Sequence, residues 1–234
     1  MRHLTQDRPK GLTPLHGTPL IARQCTALRG AGVDWIGIVT GYMAEQFDPY
    51  ADACFHNADW AATQMVTSLA AADAVLQDEP IVVSYSDIFY DAQPVRALMA
   101  ADADIAITYD PDWERQWTGR FGDPLSDAET FRLRSDDDGT QVLTEIGRQP
   151  RTLDEIQGQY MGLLRFTPAG WAQAQAVRAD LAPDVRAALS MTALLDLLVA
   201  RGARIQAIAT AGPWGEIDSV EDLAYFEEGD RPRP

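Results

Sequence analysis

Apolar and polar positions along this chain switch between a helical period and a strand period, and the switches outline a regular succession of elements. Met1 to Pro19 carries prolines at 9, 14 and 19 and glycines at 11 and 17, too many breakers for a helix or central strand, so a structured loop is expected. Leu20, Ile21, Cys25 and Leu28 then fall at helical spacing, with Gly30 or Gly32 to end the helix. Trp35 to Thr40 and Ala53 to His56 read as short strands in parallel pairing, and Met65, Leu69, Ala72 and Leu76 mark one face of a single helix. Pro94 to Ala101 reads as a helix and Asp104 to Tyr109 as a strand. Residues 110–130 are largely polar, hold Trp113 and Trp117, and show no clear period. Phe131 to Arg134 and Gln141 to Ile146 predict antiparallel strands around Asp137-Asp138-Gly139, a small insertion beside the crevice. Gly158 to Phe166 returns to strand character. Alanine-rich helices follow from Pro168 and from Ser190 to Ala200.

Two strands carry the chemistry. Ile81-Val82-Val83-Ser84-Tyr85-Ser86-Asp87 is a β-branched run ending in a carboxylate, and it reads as a buried parallel strand that delivers Asp87 to a strand's carboxyl end. In open α/β sheets the ligand crevice lies outside those ends. For Asp87 alone, an Asx turn after a strand is the slightly better account. A second acid changes the balance: Ala203 to Ala209 reads as a strand, and the Trp214-Gly215-Glu216-Ile217-Asp218-Ser219 loop after it sets Asp218 beside a helix start at Val220. Two aspartates from separated elements at one sheet edge are what Mg²⁺, bound through one or two carboxylates plus substrate phosphates, requires. The alternation as a whole predicts a Rossmann-like three-layer α/β/α domain over residues 1–228, with 229–234 as a flexible tail.

Composition narrows the partners. Hydrophobic residues at 46% supply a sizeable core, and the net charge of −16 comes with scattered Lys and Arg residues rather than a basic stripe, so nucleic acid is not expected as a ligand. A nucleotide would need a divalent cation. Cys25 and Cys54 stand alone in apolar contexts and are expected as buried, reduced thiols. The sequence has no 18-residue apolar run and no signal-like segment, which predicts a soluble cytoplasmic protein without membrane contact.

Arg8-Pro9-Lys10-Gly11-Leu12-Thr13-Pro14-Leu15-His16-Gly17-Thr18-Pro19-Leu20-Ile21 resembles the P-K-x-L-x-P-V-x-G-x-P-L-I segment of the nucleotidyltransferase superfamily that makes nucleotide-activated sugars and alcohols. The similarity continues through the Asp87 strand, Gly158-Gln159-Tyr160-Met161-Gly162 and Glu216-Ile217-Asp218, and so covers nearly the whole chain. Trp60 to Leu69 and the Trp214 to Asp218 ending are similar to the branch of phosphocholine and aminoethylphosphonate cytidylyltransferases. The resemblance implies a nucleotidyltransferase fold, CTP as donor and a small phosphorylated or phosphonylated alcohol or amine as acceptor. It implies Lys10 on a phosphate, and Asp87 and Asp218 on Mg²⁺. Members begin with a strand and a glycine-rich L-A-A-G-x-G-x-R loop, whereas this chain starts at Met1-Arg2-His3-Leu4-Thr5, where that loop would end. Absence of that central strand would leave both neighbours with unpaired edges; an internal start codon and a truncated product both account for it. Arg148-Gln149-Pro150 stands where sugar-nucleotide enzymes often have Glu-Lys-Pro.

The expected acceptor pocket is aromatic and acidic. Tyr109, Trp113, Trp117, Tyr160 and Trp214, with Asp110, Asp112 and Glu129 near them and Glu216 in the last loop, suit a quaternary ammonium; packing in the core accounts for any one aromatic as well. Gln64 and Ser68 are candidates for the base or ribose, and a polar helix start explains them too. A sugar-1-phosphate nucleotidyltransferase and a non-catalytic binding domain are the competing readings.

Overall fold

The computed structural model describes residues 5–229. The opening loop contains a 3-10 turn at Lys10–Leu12 and a minimal hairpin of β1 (Pro14–Leu15) and β2 (Thr18–Pro19). Its tip turns through His16 and Gly17, both at positive φ. α1 (Leu20–Gly30) follows, then the parallel pair β3 (Gly37–Thr40) and β4 (Ala53–His56). α2 (Met65–Leu69) and α3 (Asp73–Asp78) lead into β5 (Ile81–Ser84), β6 (Ile88–Tyr90) and α4 (Ala92–Met99), the last capped by the Asp91 carboxylate on the Gln93 N–H. Next come β7 (Ile105–Asp110), α5 (Trp113–Phe121), β8 (Phe131–Ser135), β9 (Gln141–Ile146) and β10 (Gln159–Phe166). α6 (Pro168–Ala179), α7 (Pro183–Ala187), α8 (Met191–Ala200), β11 (Ile205–Ala209), β12 (Trp214–Glu216) and α9 (Val220–Gly229) complete the chain's described part.

The main sheet has the order β5-β10-β7-β11-β9-β8, with β11 parallel to β7 and every other pair antiparallel. Ile105, Ala106, Ile107 and Thr108 are each 0% exposed. Successive strand residues face opposite sides, so both faces of the sheet are covered, as the three-layer expectation requires. α4 packs on β5, β7 and β10, while α6 and α8 pack on β10 and β9 and on each other. Trp171 of α6 is fully buried and donates its indole N–H to Asp73 at 2.7 Å, which ties α6 to α3.

Four local expectations are corrected. Ile81–Ser84 is an edge strand, antiparallel to β10 and half-buried along its length, because β-branched composition reports burial but not the direction of the partner. Asp87 lies three residues beyond it, in the turn into β6. The expected helix from Met65 to Leu76 breaks at the 3-10 turn Ala70–Ala72, where Ala72 leaves helical geometry (φ −97°, ψ 20°) and the next residue, Asp73, serves Trp171 and Gln175. Residues 110–130 hold α5, whose Trp113, Trp117 and Phe121 recur every four residues within an otherwise polar stretch. The β8–β9 hairpin is antiparallel as expected, but it is built into the main sheet, which β9 extends by pairing with β11 at Val142 and Gln206. Gly229 closes α9; the remainder of the expected tail and Met1 to Leu4 lie outside the described residues. Among the described residues β3 pairs only with β4, and β5 only with β10. No helix among them is long and apolar enough to cross a membrane. Both cysteines are free, but neither is buried as expected: Cys25 is half-buried and Cys54, on the short strand β4, is exposed.

Candidate active site

One short ladder brings distant acids together. β6 and β12 pair antiparallel with Ile88 opposite Glu216, and the Ile217 N–H donates to the Asp87 carbonyl at 2.9 Å. The residue that precedes β6 therefore meets those that follow β12. One carboxylate oxygen from each of Asp87, Glu216 and Asp218 lies within 4.8 Å of the others. The Lys10 ammonium donates to both Asp87 and Asp218.

The supports of this cluster are built into neighbouring elements. A Cβ at Gly11 would come within 3.1 Å of the Ser86 carbonyl oxygen, so the absence of a side chain lets the Lys10 turn lie on the Asp87 loop. From α1, the buried Gln24 donates its amide to the carbonyls of Tyr85 at 2.9 Å and Ile88 at 2.6 Å, clamping that loop on both sides of Asp87. On the other side stands Arg120 of α5, whose side chain is 0% exposed. Its Nε donates to Asp222 at 2.8 Å, and its Nη2 lies 3.7 Å from Glu216 and 3.9 Å from Asp218. The guanidinium also sits over the rings of Trp117 and Phe121, at 5.2 and 4.7 Å. Asp222 in turn accepts the N–H groups of Asp218 and Ser219, and the Ser219 hydroxyl accepts from the Asp222 N–H, a reciprocal cap at the start of α9.

Close carboxylates repel, and the cluster shows it. Burial first, then the charges of Asp218 and Asp87, push the Glu216 carboxyl up to about 8, against the pull of Arg120. For Lys10, burial would lower the pKa, but the charges of Asp87 and Asp218 and their hydrogen bonds outweigh it and raise the value. One Asp87 oxygen, Oδ1, is buried with no hydrogen-bond donor among the described residues.

The Glu216 shift gives a stability prediction with a fixed sign. Its folded pKa lies above the ordinary value of 4.5, so its contribution is fully present below about pH 4.5 and is lost as pH rises through about 8. In metal-free buffer the melting temperature should fall between pH 5 and pH 8, with a Glu216 contribution of up to about 1.4 kcal/mol per pH unit. For a chain of this size that is about 3–5 °C per unit. Glu216→Gln should flatten this slope in differential scanning calorimetry; an unchanged slope would remove Glu216 as its source.

Beside the acids lies a cavity of ≈ 220 Å³ walled by Tyr85, Trp117, Glu129, Tyr160, Trp214 and Glu216, among others. Glu216 thus belongs to both the cluster and the cavity. Partial burial also pushes the Glu129 carboxyl upward, against a hydrogen bond from Thr192. Of the residues expected from sequence, Lys10, Asp87, Glu216 and Asp218 meet in the cluster, and Trp117, Tyr160, Trp214 and Glu129 meet in the cavity. Tyr109 and Trp113 go to the core instead, Tyr109 against Phe131 and Trp113 against Trp117. Asp110 accepts the Trp214 indole N–H at 2.8 Å and orients that wall rather than lining it, while Asp112 stands at the N-cap position of α5 without a side-chain capping hydrogen bond. Gln64 and Ser68 line neither feature: Gln64 precedes α2 and donates its backbone N–H to the Ala187 carbonyl at 2.7 Å, and the Ser68 hydroxyl accepts from Asn57. Sequence reading missed Gln24, Arg120 and Asp222. The Ser219-x-x-Asp222 spacing was a usable capping signal; nothing local marks Gln24 or Arg120.

A mixed α/β domain of Rossmann type, with an acid triad facing a lysine at the ends of its strands, falls among the nucleotidyltransferases. Residues 2–198 match the family described as MobA-like NTP transferase domain, and the chain belongs to it. The CTP:phosphoglutamine cytidylyltransferase of Campylobacter jejuni is 30% identical over 236 residues, spanning 94% of this chain and 91% of that protein. Among solved structures, the CTP:phosphocholine cytidylyltransferase from Streptococcus pneumoniae superimposes with a TM-score of 0.70 at 18% identity, over 99% of this chain and 93% of that one. The inositol-1-phosphate CTP transferase from T. maritima gives 0.72 at 14% identity, over 98% and 91%. At these identities the structures speak for the fold.

Proposed function

We propose that this protein is a cytidylyltransferase that moves the cytidylyl group of CTP onto a small phosphorylated or phosphonylated alcohol or amine and releases pyrophosphate. The observation that carries this reading is that Glu216 joins the acid cluster to an aromatic, carboxylate-bearing cavity, so that a place for phosphates adjoins a place for a cationic head. The CTP-dependent relatives support the choice of base.

Magnesium fits the cluster. The donors are hard carboxylate oxygens, and the orphaned Asp87 Oδ1 lacks a partner that an ion would supply. Asp87 and Asp218, with Glu216 beside them, would hold it, and the bound ion would neutralise charge that grows on the phosphates. In the transfer, an acceptor phosphate oxygen forms a bond to the α-phosphorus as the bond from that phosphorus to the departing pyrophosphate breaks. The protein's part is alignment and charge: Lys10, held over the Asp87 loop by Gly11, presents its ammonium to phosphate oxygens, and the cavity fixes the far end of the acceptor. No covalent protein intermediate is required.

The test is a matrix of CTP, UTP, GTP and ATP against phosphocholine, 2-aminoethylphosphonate and glucose 1-phosphate, read by pyrophosphate release and by phosphorus NMR of the product. Turnover should be highest with CTP and a nitrogen-bearing acceptor. Preference for UTP with glucose 1-phosphate would favour the sugar reading, and no pyrophosphate from any pair would refute transfer.

A further inference from the structure

Lys10 is the single lysine in the sequence. Its ammonium donates to Asp87 and Asp218, two of the three acids whose oxygens lie within 4.8 Å of one another. The same oxygens therefore have two claimants, the ammonium and a divalent ion. The cluster's other cation cannot yield: the Arg120 side chain is 0% exposed and is held by Asp222 at 2.8 Å. Arg120 also stays 3.7 and 3.9 Å from Glu216 and Asp218, near enough to offset charge without occupying their lone pairs. Lys10 differs on each count. Its side chain is 30% exposed, it has a flexible four-carbon stem, and it rises from a three-residue turn rather than a long element.

We propose that Lys10 is an exchangeable counter-ion: it bridges Asp87 and Asp218 in the metal-free protein, a divalent cation displaces it from those oxygens, and the freed ammonium turns to the phosphates of the nucleotide. The idea rests on the metal site proposed above. It gives one residue two successive duties and couples them. Metal entry releases the cation that the triphosphate needs, and a triphosphate that draws Lys10 away uncovers the oxygens that the metal needs. It also carries a counter-intuitive consequence. Removing a residue that turnover requires should improve metal binding.

A single lysine makes the exchange directly visible. In the full chain labelled with ¹³C,¹⁵N-lysine, the one side-chain signal should move on Mg²⁺ titration and saturate with the metal's own dissociation constant. Electron paramagnetic resonance of free Mn²⁺, without nucleotide, should show Lys10→Met binding the ion at least tenfold tighter than wild type while turnover falls. Asp87→Asn should lose Mn²⁺ binding in either background. Metal binding that leaves the lysine signal unmoved, or equal or weaker Mn²⁺ affinity in Lys10→Met, would overturn the exchange. Absence of Mn²⁺ binding in both proteins would overturn the metal site itself and the exchange with it. The labelled wild-type chain answers the question even if the variant does not fold.

Discussion

Asp87→Asn and Asp218→Asn are each expected to cut Mg²⁺-supported turnover by at least about a thousandfold while the far-UV circular dichroism stays that of wild type. A metal at a phosphoryl centre supplies several kcal/mol of charge stabilisation, and about 4 kcal/mol is about three decades in rate. Each change removes a ligand charge without altering volume. The local backbone does not depend on either carboxylate: the Asp87 carbonyl is held by the Ile217 N–H, and the Asp218 N–H by Asp222. Stability should change little, because the substitution relieves repulsion that raises the Glu216 pKa but gives up one of the two carboxylates that hold the Lys10 ammonium. Turnover within tenfold of wild type at saturating Mg²⁺ would take that aspartate out of the site.

The pair was legible in the sequence because both acids stand where apolar strand runs give way to polar loops, and loops at strand ends hold ligands in α/β sheets. Lys10 was legible only through the motif around it; nothing in its own surroundings shows that it meets residues 77 and 208 positions away. What the sequence could not convey was pairing. The parallel reading of Ile81–Ser84 followed from strand, helix, strand alternation, yet its neighbour β10 comes from much later in the chain and runs the other way. The same limit hid β12, three residues long, whose antiparallel match to β6 is what sets Glu216 beside Asp87. Arg120 was invisible for a different reason. A charged residue on a polar helix reads as solvated, and only the assembled structure shows its side chain enclosed by Trp117, Phe121 and three acids. The aromatics divided for a similar reason. Trp113 and Trp117 are one helical turn apart and equally apolar, but only Trp117 reaches the cavity wall.

Recognition of the acceptor's charge is the remaining large effect, and Glu129 is where it should be found. Its side chain lines the cavity and takes a hydrogen bond from Thr192 at 3.4 Å, and its carbonyl is fixed by the Gln159 amide at 2.8 Å, so Glu129→Gln preserves shape and anchoring while removing charge. A carboxylate in a half-buried, aromatic surrounding is costly without a cation, and the charge of Asp127 in the same cavity adds to that cost, which is why its pKa is raised. A bound primary ammonium head would supply that cation, and its charge-assisted hydrogen bond is worth about 1.5–3 kcal/mol. Glu129→Gln should therefore raise the KM for a primary-ammonium acceptor such as 2-aminoethylphosphonate by about tenfold to a hundredfold, with the KM for CTP little changed. A neutral isostere of that acceptor, carbon in place of nitrogen, separates charge from size: wild type should discriminate against it, and Glu129→Gln should lose most of that discrimination. Equal discrimination in the two proteins would mean that the cavity selects its occupant by shape alone.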